Sequence, residues 1–303
     1  MSWLQAAFIG LVEGLTEFLP VSSSAHMGFV PQLLGMPDPG PAFSAVVQLG
    51  PIIAILAYFW HDLIAYVRGI LRQPNPLRIS PDDTDARLGW YVILATLPIL
   101  VAALLLEKKI KGVFRSLEVI AWSLIGFSAV IWVAEKIGKQ TQRLEQMTLK
   151  ESLGIGIAQA LALVPGVSRS GATISAGLFL GMEREAAARF SFLLSVPALM
   201  MAGLYELYKD VLRSPNLGTM VGPYIVGTVV AGLSAYAVIG WFLGFIRARG
   251  MTGFILYRIA IGLLLLALLK TGTIKSSTPE EVPAPPLQEH VTMLSRKPGY
   301  PAL

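Results

Sequence analysis

Six apolar blocks, at residues 42–60, 88–106, 117–134, 190–208, 221–246 and 252–269, are separated by short stretches that carry most of the charge. Each block is close to the roughly 20 residues that a helix needs to cross a bilayer. A segment in hydrocarbon must satisfy its own backbone amides and carbonyls, so blocks of this length can only be helices. The charged fraction, 14%, is well below the roughly 25% usual for soluble domains. The fold class that follows is an all-α integral membrane protein with six transmembrane helices.

Two further apolar stretches are interrupted. Residues 3–19 read as a helix that Pro20 stops, because proline has no amide donor and its ring clashes with the preceding turn, and a short helix over 24–34 follows. The pattern returns at 153–164, too short to cross, followed by Pro165-Gly166 and a short helix over 171–180. A shift of 146 positions superposes Val21 on Val167, Ser22 on Ser168, Ser24 on Ser170, Glu13 on Gln159 and Pro51 on Pro197. Short, broken apolar segments at matching places in two halves mark membrane binding sites. We therefore expect one membrane domain over 1–270, with repeat one at about 1–135 and repeat two at about 151–270. Each repeat would hold a re-entrant helical hairpin and three spans, an inverted repeat whose serine-rich tips meet near the midplane.

The loops assigned to one face, including 247–258 with Arg258, hold thirteen of the Lys and Arg residues, and the other face with the tail holds ten. The positive-inside tendency weakly puts the first set in the cytoplasm. A net charge of +5 spread over such loops suits topology and anionic lipid, not nucleic acid. The N-terminal segment carries Glu13 and Glu17 and lacks a basic n-region, so it is not read as a signal peptide. With no cysteine, any nucleophile is oxygen or nitrogen. The tail over 271–303, rich in Pro, Glu, Ser and Gln, is expected to be disordered.

The polar residues in this apolar setting concentrate in two places. Glu13 and Glu17, four apart, share a helical face and repel each other, and each acid in lipid costs on the order of 2.5–3.5 kcal/mol. A shared proton, an arginine or a hard divalent cation such as Mg²⁺ would compensate; acids reaching interfacial water is the bland alternative. Ser22, Ser23 and Ser24 precede one short helix, and Ser168, Arg169 and Ser170 precede the other, where serines ordinarily cap helix amides. Arg169 is the only Lys or Arg between Glu151 and Glu183, and a guanidinium beside helix N-termini suits phosphate. Thr173, one turn on, adds a hydroxyl to the anion site or bonds its own backbone. His26, three residues after Ser23, is placed to act as base, acid or phosphate acceptor, while His61 falls at a span end and His290 in the tail.

The motifs Glu-Gly-Leu-Thr-Glu-Phe-Leu-Pro-Val-Ser-Ser at 13–23 with His26, and Pro-Gly-Val-Ser-Arg-Ser-Gly-Ala-Thr at 165–173, closely resemble those of the bacterial undecaprenyl pyrophosphate phosphatases, the bacitracin-resistance family. Gln48-Leu49-Gly50, residues 190–194 and Tyr257-Arg258 extend the resemblance over about 1–270; Ser24-Ala25 stand where many members have Thr-Gly. The resemblance implies removal of the terminal phosphate from undecaprenyl diphosphate, recycling the lipid carrier of cell-wall synthesis at the bacterial inner membrane. It implies that Glu13 and Glu17 serve metal binding and acid/base work, with Mg²⁺ or Ca²⁺ as the divalent cation. Ser23 and His26 would lie at the reacting phosphorus, and Ser168, Arg169 and Thr173 would hold the diphosphate, to which the anion-site reading adds Ser22 and Ser170. The nucleophile stays open between Ser23, His26 and a water directed by Glu17. The expected partners are a polyprenyl diphosphate lipid and membrane lipids, and a homodimer is left open. A transporter or flippase is the rival, since broken helices in inverted repeats also build transporters. If the two halves form one site, Glu17 and Arg169 must lie within a diphosphate's reach of each other.

Overall fold

A computed structural model describes residues 1–36, 40–111, 114, 116–208 and 217–274, and they are helical throughout their regular structure. Helices α1 (Trp3–Thr16) and α2 (Ser23–Leu33) form the first broken pair. Then come α3 (Gly40–Val47), α4 (Leu49–Tyr58), α5 (Trp60–Arg72), α6 (Thr84–Lys111) and α7 (Leu117–Ile137). The second broken pair is α8 (Leu149–Ala160), continued by a 3-10 turn over Leu161–Leu163, and α9 (Arg169–Phe179). Helices α10 (Arg184–Glu206), α11 (Leu217–Arg249) and α12 (Thr252–Lys270) complete the described chain.

Five helices, α6, α7, α10, α11 and α12, are long and apolar enough to span a bilayer. The molecule is an all-α membrane protein. The expected first span, at 42–60, departs from a simple rod. It breaks at Gln48 between α3 and α4, where Pro51 cannot return an amide to the Val47 carbonyl, and α4 then bends by 80° into α5. Counting α4 and α5 as one bent span gives six. Pro197, the counterpart of Pro51 under the 146-residue shift, lies inside an unbroken α10, so the two stretches differ in structure there.

Small residues let the helices that carry the site approach closely, as expected where lipid removes the hydrophobic drive between helices. Gly10 and Gly14 bring α1 against α11, and a Cβ on either would run into the main chain at Gly227 or Ala231. The Gly50 backbone of α4 packs on Thr228 and Gly232 of the same helix, and Gly262 sets α12 on Ala121 and Ile125 of α7. An apolar core led by Phe18, Phe59, Phe190, Phe192 and Phe242 lies alongside the first hairpin. The part of the expected tail beyond Ile274 lies outside the described residues.

Candidate active site

The two broken helices turn in the same way. Ser22 has φ 72° and Ser168 φ 75°, a left-handed conformation that costs a non-glycine residue on the order of 1–3 kcal/mol and is found where function requires it. In both, the hydroxyl lies 3.1 Å from that of the serine two residues on, Ser24 or Ser170. The residue between starts the next helix: Ser23 in the first copy, Arg169 in the second. Positions 146 residues apart thus carry a hydroxyl in the first broken pair and a guanidinium in the second.

Both meet at one carboxylate. The Ser23 hydroxyl donates a short hydrogen bond to Glu17 Oε2, and Arg169 Nη2 donates to Glu17 Oε1 at 2.8 Å. The two halves therefore form one site, as required of Glu17 and Arg169, 152 positions apart. Among the described residues the remaining nitrogens of Arg169, Nε and Nη1, have no hydrogen-bond partner although buried. Glu13, 1% exposed, neighbours Glu17 and Gln48 and leaves Oε1 unpaired. An arginine and two acids this deep in an apolar protein are costly, and one ion pair does not satisfy them.

Glu17, Ser23 and Arg169 line a cavity of about 740 Å³, which Glu13 does not line. Its polar end is Glu17, Ser22, Ser23, Ser24, Gln48, Ser168 and Arg169, and its walls are apolar residues of α6 and α10, including Leu100, Leu104, Leu199 and Met201. Leu104 and Met201 are exposed on the outer, lipid-facing surface. The space is thus polar at one end and walled by apolar side chains at the other.

Of the other expected site residues, His26, Ser170 and Thr173 do not line the cavity, whereas Ser168 does. His26 Nδ1 donates to the Ser22 carbonyl at 2.8 Å, which fixes Nε2 as the acceptor of the Tyr257 hydroxyl at 2.6 Å. The imidazole, 4% exposed and stacked on Tyr257 with 4° between the planes, braces the turn at Ser22 through its Nδ1 hydrogen bond. Ser170 donates to the Leu19 carbonyl at 2.9 Å, tying the second hairpin to the first. Thr173 takes the more local of its two expected roles, donating to the Arg169 carbonyl at 2.8 Å with Ser191 Oγ 2.6 Å away. Ser168 accepts the Gly171 amide as a helix cap while lining the cavity. His61 is exposed at the start of α5, and His290 lies outside the described residues.

Three participants, Gln48, Tyr257 and Arg258, belong to the motifs that extend the resemblance but carry no assigned role in the sequence. Arg258, counted above among loop charges, is in fact 0% exposed within α12. Its misplacement follows from judging a basic residue near a span end by charge alone.

Broken helices that carry an acid, a hydroxyl and an arginine to one cavity walled by apolar helices define a polytopic membrane protein with a charged pocket among its helices. The chain belongs to the bacitracin resistance protein BacA family, whose model matches residues 6–264. It is 46% identical to the undecaprenyl-diphosphatase of Renibacterium salmoninarum over 281 residues, covering 91% of this chain and 99% of that one. It is 45% identical to the undecaprenyl-diphosphatase of Myxococcus xanthus over 300 residues, 96% and 100% of the two chains. The protein of the same name from Mycobacterium sp. (strain KMS) is 48% identical over 280 residues, 90% and 99%.

Proposed function

We propose that the protein hydrolyses undecaprenyl diphosphate to undecaprenyl phosphate and inorganic phosphate in the bacterial cytoplasmic membrane. The observation that carries this reading is the cavity itself. Two unpaired guanidinium nitrogens of Arg169 and a Ser23–Glu17 hydrogen bond stand at its polar end, and apolar α6 and α10 walls suit a prenyl chain. The relatives named undecaprenyl-diphosphatase, matched over nearly their whole length, support it.

On this reading the terminal phosphoryl group takes the place that Arg169 leaves open, and its oxygens compete with Glu17 for the guanidinium. Glu17, released from one partner, accepts the Ser23 proton as Ser23 Oγ attacks phosphorus, the nucleophile and base already being in hydrogen-bond contact. The P–O bond to the lipid monophosphate breaks as Glu17 passes that proton to the leaving oxygen; the carboxylate then takes a proton from water, whose oxygen attacks the phosphoserine, and returns it to Ser23 Oγ as inorganic phosphate departs. Arg169 and the amides at the start of α2 and α9 stabilise the charge on the transferring group, where phosphoryl transfer gains most from an enzyme.

A divalent cation fits the same donors. Among the described residues Glu13 Oε1 is buried without a partner; it and the neighbouring Glu17 would hold the ion, and substrate oxygens would complete the shell, as is common for Mg²⁺. Among the described residues no group of three or more His, Cys, Asp or Glu side chains could hold a metal without them. Bound there, Mg²⁺ or Ca²⁺ would neutralise the diphosphate.

Purified protein in detergent should release phosphate from undecaprenyl diphosphate, whereas a flippase would leave it intact. Ser23→Ala should lower turnover by about a hundredfold or more, as for loss of a nucleophile, and rapid quenching of wild type should trap phosphate on Ser23. Near-normal turnover in Ser23→Ala would pass the attack to water.

A further inference from the structure

Arg258 takes no part in the chemistry outlined above, yet it touches both halves of the site from behind. It is fully buried in α12, and among the described residues no carboxylate lies within ion-pair distance of it. Its fork is spent on neutral acceptors. Nη1 donates to the Pro20 carbonyl at 3.1 Å, Nη2 to the Gly166 carbonyl at 2.8 Å, and Nε to Ser128 Oγ on α7 at 3.1 Å. Pro20 and Gly166 are counterparts under the 146-residue shift that pairs Ser22 with Ser168 and Ser23 with Arg169. One side chain from outside both hairpins thus binds the same carbonyl in each copy.

We infer that Arg258 is a positioning residue that sets the spacing between the two hairpin tips, and through it the distance from Ser23 and Glu17 to Arg169. Pro20 and Gly166 stand three residues before Ser23 and Arg169, so a change in the separation of these carbonyls is passed directly to the reacting groups. Two direct bonds between the hairpins, Gly166 N–H to Ser22 Oγ at 3.2 Å and Ser170 Oγ to the Leu19 carbonyl, join the same turns but come from short, rotatable side chains. The guanidinium is planar and presents its two terminal nitrogens at a fixed separation. A lysine carries the same charge but has one nitrogen, which cannot span both carbonyls while also reaching Ser128. Burial of an uncompensated cation in a membrane protein is expensive and marks a functional requirement.

The inference rests on the proposed phosphatase site, and its test has an arm that needs no substrate. The chain has no cysteine, so nitroxides at Leu15→Cys and Leu161→Cys, both partly exposed on the two hairpins, report the distance between them directly. Arg258→Lys should broaden or shift that distribution and lower kcat by about 10- to 100-fold, the scale expected for displacements of up to about an ångström, with KM within about threefold. Arg258→Lys with kcat within twofold of wild type would overturn the inference, and so would a loss of kcat with the distance distribution unchanged. Should Arg258 variants fail to fold, Ser128→Ala removes only the Nε anchor and keeps the cation. It should then broaden the distribution and lower kcat about threefold or more, and wild-type behaviour in both readouts would refute the assignment. If wild type itself released no phosphate, the proposed activity would fail while the spin-label result still judged the clamp.

Discussion

Replacing Arg169 separates binding of the phosphoryl group from the rest of the site. The side chain donates once to Glu17 at 2.8 Å and keeps Nε and Nη1 unpaired. Hydrogen bonds to a charged partner contribute about 1.5–3 kcal/mol each, so two such bonds made to the transferring group are worth about 3–6 kcal/mol. That corresponds to a loss of about 10²- to 10⁴-fold in kcat/KM for Arg169→Ala. The same substitution leaves Glu13 and Glu17 as neighbouring buried acids without their cation, which adds to the loss. Arg169→Lys restores the charge opposite Glu17 but offers no second and third donor in a fixed plane, so its activity should fall between alanine and wild type. The assay is phosphate release from undecaprenyl diphosphate in detergent, with thermal unfolding of each variant run in parallel. A folded Arg169→Ala protein with kcat/KM within about threefold of wild type would refute the assignment of the two free nitrogens to the phosphoryl group.

Gly14→Val drives a side chain into the Ala231 carbonyl and Ser234 hydroxyl of α11; it should destabilise the protein by at least the 1–3 kcal/mol typical of overpacking, read as a lower unfolding temperature, and an unchanged transition would contradict the close α1–α11 approach. At the membrane-external start of α6, the Ala86 amide, then Gln73 and Arg72, hold the Asp83 carboxyl below its ordinary range. A depressed value in the folded state means that this stabilisation is complete above the unfolded carboxylate pKa of about 3.9 and lost as pH falls through the folded value. Amide exchange at Ala86 should therefore accelerate on acidification from pH 5 to pH 3 relative to other α6 amides, and Asp83→Asn should remove that difference; the same profile in both proteins would exclude Asp83 as the cause.

The local breaks were legible because their causes are local. Pro20 ends one helix, Gly35 and Gly181 with positive φ close two others, and the 146-residue shift pairs serines that adopt matching backbone angles. The bend between α4 and α5 was not legible, since no proline or glycine stands at the break between Tyr58 and Trp60 to mark it. The identity of Ser23 and Arg169 as counterparts was written in the alignment of the halves, but their convergence on Glu17 was not. For His26, spacing suggested contact with Ser23; its ring instead meets Tyr257, 231 positions away, a partner that no helical periodicity could supply.

By itself the sequence determined the helical membrane fold, the two interrupted hairpins and the polar residues at their tips, because a bilayer forces each segment to satisfy its own backbone and makes every buried charge conspicuous. Only the tertiary structure decided which of those groups face the cavity, which brace it, and that Arg258 belongs to the interior. A charge announces that it needs partners, but whether those partners are water at a span end or carbonyls of Pro20 and Gly166, 238 and 92 positions away, is fixed by how the helices pack.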